Sequence, residues 1–423
     1  MQPSADIRQP SPQSGRRPLY LNPFAQVVCA IALGMLLGFV DPELAQRMKP
    51  LGEFFIQTIK LFVGPIVFLT VASGIAALGN VRQVGRVGVK ALIYFELLST
   101  LALIVGLAAA HFLQPGAGFH LDPATTASIP PPPLGTDPQN LWQTLVGAFM
   151  DSSILQVLVL AILCGIALAL MGARAARLTA AGDWLADWLF KLVKLILKAA
   201  PLAAFGAIAF TVGKFGLVSV LPLLKLLGAL YLTTFLFVAL ALGLVARCSG
   251  FRLLGFLRYI KEELLLVFAT ASSVSAMPGL IDKLKHAGCA KSVVGVVVPA
   301  GYTFNLNGSN IYLGLALVFL AQALRIELGF SHYLTILAVA MVTSKGASGV
   351  AGSAFIALAA TISAVPGIPD SSLAFIVGIE RMLKCRSLGN LIGNGVACLA
   401  IAAWDGKLDR SKLRDCGFAV GRT

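Results

Sequence analysis

Thr270-Ala271-Ser272-Ser273-Val274-Ser275-Ala276-Met277-Pro278 interrupts an apolar run at 264–281 and leaves on each side a segment too short to cross a bilayer. A second break, Thr343-Ser344-Lys345-Gly346-Ala347-Ser348-Gly349-Val350-Ala351-Gly352-Ser353, splits the run at 334–363 in the same way. Small, hydroxyl-rich breaks with short halves predict re-entrant hairpins whose tips lie at membrane depth. Two ordinary helices joined by a water-exposed loop, or one kinked span, are the other readings of this pattern. Each break precedes an apolar run with a polar island: Asn305-Leu306-Asn307-Gly308-Ser309 in one, Ser387-Leu388-Gly389-Asn390-Leu391-Ile392-Gly393-Asn394-Gly395 in the other. Hydrocarbon cannot satisfy amides or opened backbone, so both islands are expected to break their helices and to face protein, water or a solute. A hairpin followed by a broken helix, twice over, is the internal duplication expected of a secondary transporter.

The surrounding chain fits that frame. Its 423 residues are 57% hydrophobic and 12% charged, with mean hydropathy +0.86. Soluble proteins carry about a quarter charged residues, so the composition predicts an all-α polytopic integral membrane protein. Apolar runs suitable for spans lie at 23–40, 54–79, 91–113, 142–171, 184–211 and 217–246. The net charge of +14 does not call for nucleic acid, because Lys and Arg gather in short links: Arg82, Arg86 and Lys90; Arg174 and Arg177; Arg247, Arg252, Arg258 and Lys261. From His111 to Trp142 there is no Lys or Arg, and Pro130-Pro131-Pro132-Pro133 favours an extended segment there. Counting basic residues puts that loop outside and the basic links inside, together with Lys407, Arg410, Lys412 and Arg414. Residues 1–18, with Arg8, Arg16 and Arg17, read as a disordered cytoplasmic tail, so both termini are cytoplasmic and the number of full crossings is even. The seven cysteines lack CxxC spacing and read as free core thiols, with neither a disulfide framework nor a zinc site.

A half-helix that starts at a hairpin tip aims unsatisfied N–H groups and the positive end of its dipole at the membrane centre. Ser272, Ser273 and Ser275 can cap it or offer hydroxyls, and Gly349 and Gly352 let backbone approach a solute with no side chain between. Both tips therefore favour an anion. Arg386 adds a permanent charge whose fork matches a carboxylate. Asn390 and Asn394 follow at i+4 and i+8, on the same helical face. Snorkelling and a pair with Glu380 are the other readings of Arg386, and its depth in the run ending near Trp404 argues against the first. Asn305, Asn307, Asn390, Asn394 and Ser309 bring oxygen-bearing side chains to expected helix breaks, where freed carbonyls suit a hard cation such as sodium. Hydrogen bonds that merely plug the breaks explain the same residues equally well. Glu96 is either a proton carrier or the partner of a basic link, lying over a turn past Lys90. No nucleophile–base or metal-ligand spacing stands out among four histidines, which leaves an enzyme as the weakest reading.

Four stretches carry a wider likeness: Phe256-Leu257-Arg258-Tyr259-Ile260-Lys261-Glu262-Glu263-Leu264-Leu265, Gly301-Tyr302-Thr303-Phe304-Asn305-Leu306-Asn307-Gly308-Ser309, the break from Ser344 to Ser353, and Asn390-Leu391-Ile392-Gly393-Asn394-Gly395-Val396-Ala397. With these motifs in order, the chain from Leu21 to Asp409 resembles the dicarboxylate/amino acid:cation symporter family, most closely its bacterial C4-dicarboxylate branch. The resemblance implies eight transmembrane helices plus two re-entrant helical hairpins, related as inverted repeats. It also implies an elevator-type carrier assembled as a homotrimer in the bacterial inner membrane. Residues 19–255 would supply helices one to six, mainly scaffold, with the third and sixth joining the transport domain. Residues 256–405 would form the transport core, and 406–423 a cytoplasmic tail. Carried over residue by residue, Ser272, Ser273, Ser309, the backbone from Gly349 to Gly352, Arg386 and Asn390 would hold substrate. Ser99, Asn305, Asn307 and Asn394 would stand where cation ligands lie. No cofactor is implied beyond the co-transported proton or sodium, and no nucleic acid.

This chain departs from the family pattern where coupling is concerned. The usual Asn-hydrophobic-Asp-Gly-Thr island has Asn307 for the Asp and Ser309 for the Thr, and the first tip has Val274 where the dicarboxylate branch has Glu. Glu380 replaces an Asp, and one residue fewer separates it from Arg386, which in a regular helix turns it by about 100°. Where amino-acid carriers keep an Asp for the substrate ammonium, this chain offers Lys384 or Cys385. An amide brings a dipole but no charge, so sodium coupling is weakened, and proton coupling through Glu380 or Glu96 is the alternative. The reading is a symporter importing succinate, fumarate or malate with protons or sodium. Its competitors are an aspartate/glutamate carrier and a transport-impaired paralogue that binds dicarboxylate and regulates a sensor.

Overall fold

The computed structural model of the chain describes residues 23–84, 86–118, 153–346, 352–365, 368–380 and 382–419. Among these, regular structure is helical apart from two isolated β-bridges. Helix α1 (Pro23–Val40) leads through the short helix Pro42–Gln46 into α2 (Lys49–Val84) and α3 (Arg86–Leu113). Then come α4 (Ser153–Met171), α5 (Ala176–Ile196) and α6 (Ala200–Phe215), followed by α7 (Leu221–Phe237), which runs through a π-turn into Gly243–Cys248. The second half holds α8 (Lys261–Thr270), α9 (Met277–His286), α10 (Lys291–Phe304), α11 (Asn307–Ala323), α12 (Phe330–Thr343), α13 (Ser353–Ala364), α14 (Leu373–Glu380), α15 (Cys385–Trp404) and α16 (Arg410–Asp415). The expected tail at 1–18, the Pro130–Pro133 loop and Gly349 lie outside the described residues.

Five helical stretches among the described residues are long and apolar enough to cross a membrane: Arg86–Leu113, Ala176–Lys214, Leu221–Cys248, Lys291–Ala323 and Cys385–Trp404. Leu33, Leu36, Phe54, Leu61, Phe235 and Leu240 are exposed, an apolar surface that lipid tolerates and water does not. The chain is a multi-pass membrane protein. Helix α2 has 36 residues; at 1.5 Å each this exceeds the roughly 30 Å of hydrocarbon. The run expected at 54–79 thus extends into both flanking links, and most of the basic stretch 80–90 is helix. The seven cysteines are free, but Cys29 and Cys248 are exposed rather than in the core.

The breaks differ in kind. Helices α8 and α9 have 10 residues each, or roughly 15 Å, half the hydrocarbon thickness. Ala271, at φ +54°, stops α8 in the left-handed region, and Pro278 starts α9 within its first turn. Thr270 and Ser275 knit this tip: their hydroxyls lie 2.8 Å apart, and Ser275 Oγ donates to the Ser272 carbonyl at 2.7 Å. Of the roles open to Ser275, capping the tip or offering a hydroxyl to a solute, its hydroxyl is spent within the tip. Between α10 and α11 the helix opens at Asn305 (φ −120°, ψ 59°) and Leu306 (φ −97°, ψ 60°), as the first island predicts.

The second island does not break its helix. Helix α15 runs unbroken from Cys385 to Trp404, and the interruption falls before it, around Met382–Lys384. The glycines that suggested an opening instead let helices touch. A Cβ on Gly389 would lie 3.2 Å from Gly308 Cα, and one on Gly393 would lie 2.5 Å from Asn307 Nδ2. Close approach through small residues is the usual means of helix association without a hydrophobic drive.

Helix α11 is the axis of the molecule: every residue in it except Gln322 is buried. Helices α3, α7 and α15 surround it, while α1 and α2 pack on α6. Gly314 of α11 and Gly106 of α3 make that contact possible, since a Cβ on Gly314 would lie 2.7 Å from the Leu107 nitrogen and one on Gly106 2.5 Å from the Ile311 carbonyl.

The stretch expected as a tail after residue 405 is folded through Ala419. Arg252 N donates to the Phe418 carbonyl at 2.7 Å, and the buried Phe418 ring stands 5.9 Å from Phe256 and 5.3 Å from Tyr259. Asp405, one residue past α15, meets Lys90 at 2.8 Å, Lys407 at 2.9 Å and Arg86 at 3.2 Å. Lys90 also donates to the Trp404 carbonyl at 3.0 Å, where a cation complements the helix terminus. The start of α3 and the end of α15 therefore share one face of the molecule. Hydrogen bonds from Lys90 and then Lys407 hold the Asp405 carboxyl well below the usual range.

Two outcomes follow from this packing. Gly314→Leu drives a side chain into the α3 backbone and should destabilise the fold by about 2 kcal/mol, read as a lower thermal midpoint in detergent. Gly228→Ala, where a Cβ meets nothing within 4 Å, should not lower it. For Asp405→Asn, a lowered folded-state value means that the stabilisation is complete above the ordinary Asp value of 3.8 and lost as pH falls through the depressed one. The gap in thermal midpoint between wild type and Asp405→Asn should stay constant from about pH 8 to about pH 5 and close only in strong acid.

Candidate functional site

Arg386 sits in the first turn of α15, 8% exposed, and its fork is occupied. Nη1 donates to Glu380 Oε2 at 3.0 Å, and Nη2 makes a second, very close bond to Oε1. Tyr312 of α11 donates its hydroxyl to the same Oε2 at 3.2 Å, and its ring centroid lies 4.8 Å from the guanidinium carbon. The regular helix on which an angular offset of Glu380 was conditioned is absent between the two residues. Helix α14 ends at Glu380, Met382 N bonds back to the Ile379 carbonyl at 2.8 Å, and Tyr231 holds the Met382 carbonyl at 2.9 Å. The break swings Glu380 onto the guanidinium. Of the readings open for Arg386, the internal pair is present.

Around this pair lies a cleft lined by Ala271 from the first break, Gly352 from the second, Glu380, Lys384, Arg386 and Ser387. Its volume is about 20 Å³, room for a single water. Gly352, at φ +91°, closes the far side beneath Leu197. Ser273 is buried beside the first tip, and Ser387 Oγ donates to the Ala271 carbonyl at 3.1 Å, tying α15 to that tip.

Below the cleft, Ser309 and Asn390 are paired reciprocally: Ser309 N donates to Asn390 Oδ1 at 3.2 Å, and Asn390 Nδ2 to Ser309 Oγ at 3.0 Å. Helix α11 has no side-chain cap of its own. Asn390 supplies one from another helix, satisfying an N–H left open by the break.

The expected cation residues assemble at the break itself. Asn305 Nδ2 donates to Asn394 Oδ1 at 3.2 Å, and Ser99 Oγ to the freed Phe304 carbonyl at 2.9 Å. Asn310, which sequence reasoning passed over, donates to the Ser99 carbonyl at 3.2 Å. Asn305 Oδ1, Asn310 Oδ1 and both polar atoms of Asn307 are buried with no hydrogen-bond partner among the described residues. Neutral oxygens therefore gather here with no carboxylate bonded to them, a donor set that offers a cation dipoles alone. Glu380 is not among these groups; it belongs to Arg386. Glu96 pairs with Lys345 at 2.8 Å rather than with the basic link expected for it. Lys345 and Tyr312 are the functional neighbours that the sequence reading missed. Tyr312 follows Ser309 at i+3, on its helical face, and Lys345 is the one charge inside the second break.

Residues 24–404 match the sodium:dicarboxylate symporter family, a range that includes both breaks and both islands. The chain belongs to that family. It is 50% identical over 409 residues to C4-dicarboxylate transport protein 1 of Ralstonia nicotianae, covering 94% of this chain and 96% of the relative. It is 50% identical over 410 residues to the C4-dicarboxylate transport proteins of Burkholderia multivorans and Burkholderia ambifaria, with the same coverage. As a member of a symporter family this is a transport protein.

Removing the counter-charge should expose how much the pair carries. Glu380→Ala leaves a buried guanidinium without a partner and is expected to destabilise the fold by about 3–5 kcal/mol. Thermal unfolding in detergent measures this. Glu380→Asp, one bond shorter, should fall between the two.

Proposed function

We infer that this chain is a secondary active symporter that imports C4-dicarboxylates such as succinate, fumarate and malate across the bacterial cytoplasmic membrane with protons or sodium. The observation that carries the reading is Arg386, a buried guanidinium lining one cleft with the tips of both breaks. The names of the 50% identical relatives support the substrate class. The charges support it too. Arg386 and Glu380 cancel, and Lys384 adds a positive charge to the lining, which suits a dianion and disfavours the ammonium of an amino acid. A substrate carboxylate would engage the edge of the guanidinium that Glu380 leaves free, and the serines and N–H groups of the tips would take the other.

A cleft of about 20 Å³ does not admit a four-carbon acid, so binding requires the tips to part. We take the two 10-residue arms of the first break, and the corresponding arms of the second, as re-entrant hairpins in an eight-span fold. In this reading the helices around α11 move as an elevator against α1, α2, α4, α5 and α6, in a homotrimer. Both termini lie in the cytoplasm, which the basic residues around Asp405 support through the positive-inside rule.

The test is uptake of labelled succinate into proteoliposomes under imposed proton and sodium gradients, applied separately. Uptake driven by either gradient supports symport, and its absence under both refutes it. Arg386→Lys keeps the charge and loses the fork. It should raise the KM for succinate at least about tenfold while the protein still elutes as a folded species. An unchanged KM removes Arg386 from the site. Aspartate should compete with succinate far less well than fumarate does.

A further inference from the structure

We propose that the Lys345 ammonium is a tethered cation at the opened end of α10, standing at the Phe304 carbonyl in place of a free sodium ion. This rests on the transport reading above. Lys345 Nζ lies 3.3 Å from the Phe304 oxygen, a carbonyl that the break removes from helical bonding and that Ser99 also contacts. The same ammonium is 6.0 Å from the Phe304 ring centroid and 2.8 Å from Glu96 Oε1. Its side chain is 14% exposed, while that of Glu96 is 45% exposed, so the ammonium itself is largely out of water and its carboxylate partner reaches the surface.

Three features separate this from an ordinary ion pair. The lysine is carried by the short turn Ser344–Gly346 that directly follows α12, so the cation belongs to the second break while the carbonyl belongs to α10. The end of α12 presents its own carbonyls there, a second reason for positive charge to reside at this point. Across the opening, the side-chain oxygens of Asn305, Asn307 and Asn310 are neutral and lack hydrogen-bond partners among the described residues. With Asn307 in place of a carboxylate, a free cation would find dipoles without a counter-charge. Glu96 supplies that counter-charge, and it is already bound to Lys345. One cation therefore satisfies the freed carbonyl and Glu96 together, and it is covalently attached to the break it stabilises.

The experiment compares wild type with Lys345→Met in proteoliposomes, using labelled succinate with sodium present or replaced by choline, and repeats the pair in detergent for thermal midpoints. In wild type, sodium should change uptake by less than about twofold. Lys345→Met should lose at least about tenfold of uptake in choline and recover several-fold of it when sodium is restored, because Glu96, Ser99 and the Phe304 carbonyl remain to hold the ion. Sodium should likewise raise the thermal midpoint of the variant and not that of wild type. Lys345→Gln carries the same expectation and keeps a donor for the carbonyl. A variant equally active in choline overturns the proposal. So does one equally impaired with and without sodium, or equally unstable in both, since that is what a purely structural pair would give. If wild type takes up no succinate, the transport reading fails instead, and the two failures are told apart in the same vesicles.

Discussion

Opening a helix inside hydrocarbon leaves N–H and C=O groups that lipid cannot satisfy, and the rest of this structure is arranged around one such opening at Asn305 and Leu306. Its carbonyl side is met by Ser99 from α3 and Lys345 from the second break. Its N–H side is met by Asn390 from α15. Asn394 then accepts from the Asn305 amide, and Asn310 donates to the Ser99 carbonyl. Three separate elements converge because each holds part of what the broken helix lacks. The convergence is also what buries α11 almost completely and requires glycine at Gly106, Gly308, Gly314 and Gly389.

The arrangement divides charge from dipole. At the cleft, Arg386 and Glu380 form a neutral buried pair stabilised by Tyr312, with Lys384 beside it. A turn lower, amides and a hydroxyl surround the break. A pair of this kind is poised between self-sufficiency and exchange: the guanidinium is never left bare, yet a carboxylate ligand can share its remaining donors. In the function proposed above, the solute of that exchange is a dicarboxylate.

Much of this was legible in the residues. Spans, breaks and basic links followed from hydropathy and charge because lipid imposes them on every sequence. The grouping of Asn390 and Asn394 on one face followed from helical periodicity, as α15 bears out. What misled was glycine. The run from Gly389 to Gly395 reads as an opening, but glycine permits close helix contact as readily as it permits a turn, and only the presence of α11 at that surface selects the former. The offset given for Glu380 applied to a regular helix, and here the helix stops at Glu380 and restarts at Cys385.

The sequence alone determined that this chain is an all-helical membrane protein with interrupted segments and an arginine in costly surroundings. Those conclusions depend on composition and spacing along the chain, which the solvent reads locally. The tertiary structure decided which charges are partners. Glu380 goes to Arg386, Glu96 to Lys345, and Asp405 to Lys90, Lys407 and Arg86. Glu96–Lys345 spans 249 residues of chain, and the Asp405 contacts with Arg86 and Lys90 span more than 300. Pairing across such separations depends on how helices pack around α11, and no local pattern encodes it.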